Sequence, residues 1–170
     1  MSICRNKMTV YGNSMELVDV YDFIENDLNG HTNLTSFVLD YFEITEKINK
    51  LDQNHYFGSS WIDVISNDLN EECSLLVVYF DSSWTPPKKF VDVMANHFNV
   101  CIKIEYSEPM NNIGGIYETG GIYKSKDIET TYYEFWYVEK KDPTVLNYLL
   151  EICNDAEEID VFLKEFNFEI

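Results

Sequence analysis

Residues 75 to 106 constrain the fold more than any other stretch. Leu75-Leu76-Val77-Val78-Tyr79-Phe80 is a continuous apolar run, the pattern of a strand covered on both faces of its sheet. Ser82-Ser83-Trp84-Thr85-Pro86-Pro87 follows. It reads as a helix start, with Thr85 as N-cap and a proline at the first helical position, where its missing N–H costs nothing. Phe90, Val91, Met94 and Phe98 then recur at helical spacing and give that helix a buried stripe. Val100-Cys101-Ile102-Lys103-Ile104-Glu105-Tyr106 reads as a further strand, closed by Glu108-Pro109. Strand, helix and strand at this spacing form a βαβ-like unit, and the sequence leaves open whether its two strands are neighbours.

The same periodicities organise the flanks. Lys7 to Tyr11 alternates polar and apolar residues as a half-buried strand does, and Gly12-Asn13-Ser14 supplies a turn and a helix N-cap. From Met15 to Leu28 the period is helical, with Leu17, Val20 or Tyr21, Ile24 and Leu28 on one stripe, and Asn29-Gly30 ends it. Residues 31–56 are apolar but fit neither period, so a loop-rich segment with one short helix is expected there. Gly58 to Val64 begins a second strand. Gly114-Gly115-Ile116-Tyr117 and Gly121-Ile122-Tyr123 flank Glu118-Thr119-Gly120 as a β-hairpin with its turn at those three residues. Thr131 to Val138 reads as another strand. Beyond it come two short amphipathic helices, one with Leu146, Leu149, Leu150 and Cys153, the other with Ala156, Ile159, Phe162, Leu163 and Phe166.

A chain of 170 residues, 45% of them hydrophobic, can bury one proper core, since a domain near this size removes roughly 70% of its unfolded surface from water. Its 12 Tyr and 11 Phe separate it from the aromatic-poor acidic chains that stay disordered. Thirty Asp and Glu against 12 Lys and Arg give a net charge of -18, which opposes approach to nucleic acid or anionic lipid and favours a basic partner or multivalent cations. Solubility alone is the competing explanation for that charge. Cys4, Cys73, Cys101 and Cys153 include no CxxC pair, and Met1 to Lys7 is polar. Reduced thiols in a cytoplasm are therefore expected, with Cys73 and Cys101 as small core residues. No apolar run approaches the roughly 20 residues that cross a bilayer.

Several segments together resemble the YubB ferredoxin-like domain family of conjugative plasmids and phages. They are Asn6 to Gly12, Gly58-Ser59-Ser60-Trp61-Ile62-Asp63, Tyr79-Phe80-Asp81-Ser82-Ser83-Trp84-Thr85-Pro86-Pro87, and Tyr106 to Pro109 with Gly114-Gly115. The resemblance spans about residues 6–125, and its most specific part is Trp-Thr-Pro-Pro after an apolar strand. It implies an α+β fold, a ferredoxin-like antiparallel sheet with helices packed on one face, and no iron–sulfur cluster. The expected organisation is this domain over 1–128, with 129–170 as a strand and helical C-terminal extension packed on it. The family brings no activity that transfers to particular residues. It implies a mobile-element context, among genes that help an incoming element survive host defences.

No complete catalytic constellation is present. His31, His55 and His97 lack metal-site spacing with one another or with cysteine. Ser59, Ser60, Ser82 and Ser83 lack a nucleophile-elbow context. Trp61 and Trp84 are read first as core residues between sheet and helices. The sharper alternative is a small-ligand or enzyme pocket walled by Trp61 and Trp84, with Asp63 and Asp81 as polar contacts. The glycine hairpin lacks the lysine of a phosphate loop. Its tyrosines, with Tyr117, Tyr123 and Tyr133 singled out, suit a solvent-facing contact strand. No cofactor or metal is expected.

Acidic residues cluster twice. Glu16, Asp19, Asp22, Glu25 and Asp27 share the first helix with no Lys or Arg, and Glu151, Asp155, Glu157, Glu158, Asp160, Glu165 and Glu169 face Lys164 alone in the last twenty residues. Either run can be a plain solvated helix face. Together they point to a non-enzymatic inhibitor whose negative surface imitates a nucleic-acid backbone, with Asp19, Asp22, Glu25, Glu157, Glu158 and Asp160 as contact residues. The expected partner is a basic host-defence protein such as a CRISPR nuclease or a restriction enzyme.

Overall fold

The computed structural model describes residues 2–28, 30, 31, 33–49, 55–120 and, as a strand, 123–130. The first strand, β1 (Ile3–Tyr11), alternates over most of its length: Cys4, Asn6, Met8 and Val10 are buried while Ile3, Arg5 and Tyr11 are exposed, and Thr9 is buried as well. Asn13 caps the helix that follows, α1 (Ser14–Phe23). Its side chain accepts from the Glu16 N–H at 2.9 Å, and the Asn13 N–H donates to the Glu16 carboxylate at 2.9 Å, a reciprocal capping box. The helix then widens into a single π-helical stretch, Ile24–Leu28. Ile24 and Leu28 stay buried, while Glu25, Asn26 and Asp27 between them are all exposed. A short helix, α2 (Leu34–Tyr41), begins at Asn33, whose side chain accepts from the Ser36 N–H.

Two antiparallel strands follow, β2 (Ile62–Leu69) and β3 (Leu76–Ser83), then helix α3 (Lys88–Phe98), β4 (Cys101–Glu108), β5 (Ile113–Gly120) and β6 (Tyr123–Thr130). The sheet order is β2-β3-β1-β4-β5-β6, and every neighbouring pair is antiparallel. The two strands of the central strand–helix–strand unit are therefore not neighbours. β1 lies between them, pairing Met8 with Val78 on one side and with Ile104 on the other.

The helices lie on one face of this sheet. Leu17, Val20, Phe23 and Ile24 from the first helical segment, and Phe90, Val91, Met94 and Ala95 from α3, close over Met8, Val10, Val78, Phe80, Ile102, Ile104 and Tyr106. The other face carries no helix among the described residues, and this corrects the expectation for β3. From Leu76 to Ser82 only its alternate residues are buried, and Tyr79 is exposed toward the open side. Two local expectations also shift. Thr85 does not cap α3: the N-cap is Pro87, and the Thr85 hydroxyl donates to the Gly58 carbonyl instead. The hairpin turn lies beyond Thr119, because Gly120 pairs with Tyr123, while Glu118 and Thr119 are strand residues facing Lys126 and Ile102. The expected strand at 131–138 and the two tail helices lie outside the described residues.

Candidate protein-interaction surface

The helical layer presents the chain's charge in concentrated form. Between Ser14 and Glu46 stand Glu16, Asp19, Asp22, Glu25, Asp27, Asp40, Glu43 and Glu46, with no Lys or Arg among them. Asp19, Asp22, Glu25, Asp27 and Asp40 are exposed. Their partners are neutral. Asn67 donates to Glu25 at 3.0 Å, the Tyr41 hydroxyl donates to Asp27 at 3.3 Å, and the Tyr56 hydroxyl donates to Glu46. The ion pairs seen among the described residues lie elsewhere, joining Lys7 and Lys103 to Glu105, and Lys88 to Asp127 and Glu129. Both tyrosine hydroxyls are pushed above their ordinary pKa, Tyr41 first by burial and then by Asp27, Tyr56 first by its hydrogen bond to Glu46. They stay protonated donors to the acidic face.

Aromatic packing fixes α2 beside this face. The Phe23 ring lies 4.8 Å from Tyr41, 5.6 Å from Phe42, 6.0 Å from Phe37 and 5.3 Å from Phe98, measured between centroids. His31 stacks on Phe37 at 4.1 Å, and its Nε2 lies 2.7 Å from the Asp27 carbonyl oxygen. A depression of about 500 Å³ opens here, lined by His31, Asn33, Ser36, Phe37, Asp40 and Tyr41. Sequence periodicity missed this groove, because α2 is only eight residues long. The signal that could have placed it is Asn33, a helix-capping residue just before the apolar run.

The tryptophans and aspartates singled out from sequence fall in two places. Asp63 and Asp81 stand opposite each other across β2 and β3, and Arg5 stands opposite Asp81 across β1 and β3. Asp81 borders a shallow depression of about 360 Å³ on the open sheet face, whose walls are Arg5, Asn6, Ile65, Ser66, Tyr79 and Phe80. Trp61 and Trp84 are not among those walls. Trp84 is 49% exposed, so the core reading does not describe it. It sits at φ +65°, an unusual backbone for so bulky a residue, with its N–H donating to the Ser2 carbonyl. Trp61 is half-buried.

What holds this corner is a serine latch that joins the two Ser-Ser-Trp motifs. The Ser83 hydroxyl accepts from the Ser60 N–H at 2.9 Å and meets the Ser59 and Ser60 hydroxyls at 2.9 and 2.6 Å. The Ser83 N–H donates to Ser59 Oγ at 2.9 Å, and Asn6 donates to Ser82 Oγ at 2.9 Å. The motifs that looked most distinctive in the sequence thus bind the 55–61 loop to the end of β3.

Tyr117 is not on the surface. In register with Ile104, it points under α3, where its hydroxyl donates to Asp92 at 2.6 Å. Tyr123 belongs to β6 by its backbone. Tyr133, Glu157, Glu158 and Asp160 lie outside the described residues. Among the described residues the buried thiol is Cys4, pushed up to about 12 chiefly by burial, while Cys73 and Cys101 are half-exposed. His31, His55 and His97 stand apart, His97 packing edge-on to Phe42 and Phe98.

Asp81 offers a test of the sheet electrostatics. Burial, with the Asp63 carboxylate adding to it, raises its pKa, and Arg5 offsets this only in part. A carboxyl with a raised folded pKa binds more protons folded than unfolded, so stability falls as pH rises through that window. Asp81→Asn should therefore melt higher than the wild type at neutral pH, by the roughly 0.2–1 kcal/mol of a like-charge cross-strand pair. The advantage should vanish below the ordinary aspartate pKa. Thermal melts between pH 3 and pH 7 check it, and a destabilised neutral-pH variant would show that Arg5 dominates.

Comparison with known proteins accords with the topology. Residues 63–146 match the family model for the ferredoxin-like domain in Api92-like protein. The crystal structure of protein Api92 from Yersinia pseudotuberculosis superposes with a TM-score of 0.50 at 11% identity, covering 75% of this chain and 98% of that one. The fold is ferredoxin-like. Read from the far side, β4-β1-β3-β2 with α1 and α3 is the ferredoxin-like core, and β5 and β6 extend the ferredoxin-like sheet at the β4 edge. The description matched is Api92-like rather than YubB, so the coarser resemblance, to a small-protein family with a ferredoxin-like domain, is the one supported. No curated protein matches the chain. Among the described residues no helix is long and apolar enough to cross a membrane.

Proposed function

We propose that this protein is a binding module whose acidic helical face occupies a basic, nucleic-acid-binding surface of another protein. The observation that carries the reading is the stretch from Ser14 to Glu46, where eight carboxylates stand without one Lys or Arg and those with described partners meet neutral groups. A surface held that far from neutrality steers toward cationic grooves and away from phosphates. The π-helical stretch sharpens it by exposing Glu25 and Asp27 side by side around Asn26, and such stretches recur at functional sites. The resemblance of the Gly58–Asp63 and Tyr79–Pro87 motifs to the YubB type supplies a mobile-element context. In that context the partner is a host-defence nuclease of the CRISPR or restriction kind, and the action is inhibition by occupancy.

The test is a salt series on the complex with purified nucleases of both kinds, comparing wild type with the Asp19→Asn/Asp22→Asn/Glu25→Gln variant. The variant should bind about tenfold more weakly at low salt, about 1.4 kcal/mol, with the loss in the association rate and converging on wild type as salt rises. Its fold should be kept or slightly stabilised, because repulsion along α1 is relieved. Affinity indifferent both to salt and to the triple substitution would leave the charge with a solubility role only.

A further inference from the structure

The groove on α2 has a composition that selects its occupant. Asn33, Ser36, Phe37, Asp40 and Tyr41 recur at helical spacing and form the outward stripe of α2, while Leu34, Thr35 and Val38 are buried beneath it. Two of its walls are aromatic. Phe37 lies between Phe23 and His31 in a stack of gently inclined rings, and His31 is its outermost and exposed member. Tyr41, 39% exposed, is the second aromatic wall.

Asp27 sets both of these rings. A carbonyl only accepts, so His31 Nε2 carries the hydrogen that it donates to the Asp27 carbonyl oxygen at 2.7 Å, and the Tyr41 hydroxyl donates to the Asp27 carboxylate at 3.3 Å. The walls are thus oriented before a ligand arrives, which lowers the cost of binding one. Asp40, on the same stripe, is an exposed carboxylate. Among the described residues no ion pair reaches it or Asp27.

We propose that this groove receives an arginine side chain of the partner protein, with the guanidinium plane against His31 and Tyr41 and its N–H groups donating to Asp40; the assignment rests on the acidic-face reading and names what that face grips. A guanidinium is planar, always charged and weakly hydrated, so one group suits the flat aromatic walls and the carboxylate together. A lysine ammonium is a compact, strongly hydrated point charge and gains less from those walls. A phosphate or carboxylate ligand would meet Asp27 and Asp40 in a stretch, Ser14 to Glu46, that holds no Lys or Arg. The arginine must come from elsewhere. This chain has one, Arg5, and it stands on the far face of the sheet, walling the depression beside Asp81.

Two blocked, glycine-spaced peptides of equal length and charge, one of arginine and one of lysine, test this against the full chain. Affinity and the NMR ring signals of His31 and Tyr41 are the readouts. The arginine peptide should bind about fivefold tighter and shift both rings. Tyr41→Leu should bring the two peptides to parity, and so should Asp40→Asn, an exposed substitution that spares the core if Tyr41→Leu disturbs it. The Asp19→Asn/Asp22→Asn/Glu25→Gln variant should weaken both peptides alike and keep their ratio. Equal affinities in the wild type would overturn the proposal, as would an arginine preference that survives both groove substitutions. Ring shifts on concentrating the protein alone would assign the groove to a second copy and overturn it too. Parity in the wild type, with both peptides weakened by the α1 variant, removes the groove alone and leaves the acidic-face reading standing. Binding of neither peptide removes both.

Discussion

Phe23→Ala is expected to remove about 3–5 kcal/mol of folding stability, the range for truncating a fully packed aromatic. The ring is 2% exposed, and it touches Phe37, Tyr41 and Phe42 of the α2 region together with Phe90 and Phe98 of α3. Phe42 and Phe98 span the same three helical segments, so the rings form one cluster with Phe23 at its buried centre. Truncation should therefore do more than open a cavity. α2 should loosen from α1, and the groove lined by His31, Phe37 and Tyr41 should lose its shape before the sheet does. Urea unfolding gives the total, and near-UV circular dichroism of the folded variant reports the aromatic environment. Phe23→Leu should recover more than half of the loss. A cost below about 1 kcal/mol, well under the range for a core aromatic, would mean that α2 is not held by this cluster.

Ser83→Ala is expected to cost about 1–3 kcal/mol, although it removes a single oxygen. The reason is what it leaves behind. The Ser60 N–H loses its acceptor beside a site where Ser59 is 0% and Ser83 1% exposed, and a donor left without a partner there carries its desolvation penalty, while the Ser59 hydroxyl falls back on the Trp61 carbonyl. Ser59→Ala breaks the same latch from the other side, losing the acceptor for the Ser83 N–H. The two substitutions should thus be less than additive, with a coupling of at least about 0.5 kcal/mol in a double-mutant cycle. Simple additivity would show that the serines act independently and that the two Ser-Ser-Trp motifs are not one device.

Much of this architecture was legible because local pattern and local structure coincide. The stripe through Phe90 and Met94 and the alternation of Lys7 to Tyr11 each carry their own period and became the element it predicts, while the apolar run at Leu75 became a strand covered on one face only. What stayed hidden depends on pairing between distant residues. That β1 threads between β3 and β4 is set by registers such as Met8 with Val78 and Ile104, which no single segment encodes. Tyr117 looked like a surface tyrosine because its side of the strand follows from register with Ile104, not from composition. The glycines misled by position. Gly115 is needed because a Cβ there would run into the Tyr106 hydroxyl and the Ile128 carbonyl, so it serves packing between strands, and the turn lies elsewhere. Of the candidate site, the acidic face of α1 was readable from helical spacing, whereas the α2 groove and the open sheet face required the fold.

β2 closes one side of the sheet with its outer backbone unpaired among the described residues, and its irregularity between Val64 and Ser66 breaks the hydrogen-bonding rhythm there. Asp63 and Asp68 stand exposed on either side of that break. A foreign strand seeking to continue the ladder would find a kinked template and two carboxylates in its path. Self-association by strand addition at this margin is thereby discouraged, although the sheet beside it carries exposed aliphatics such as Ile3 and Ile65.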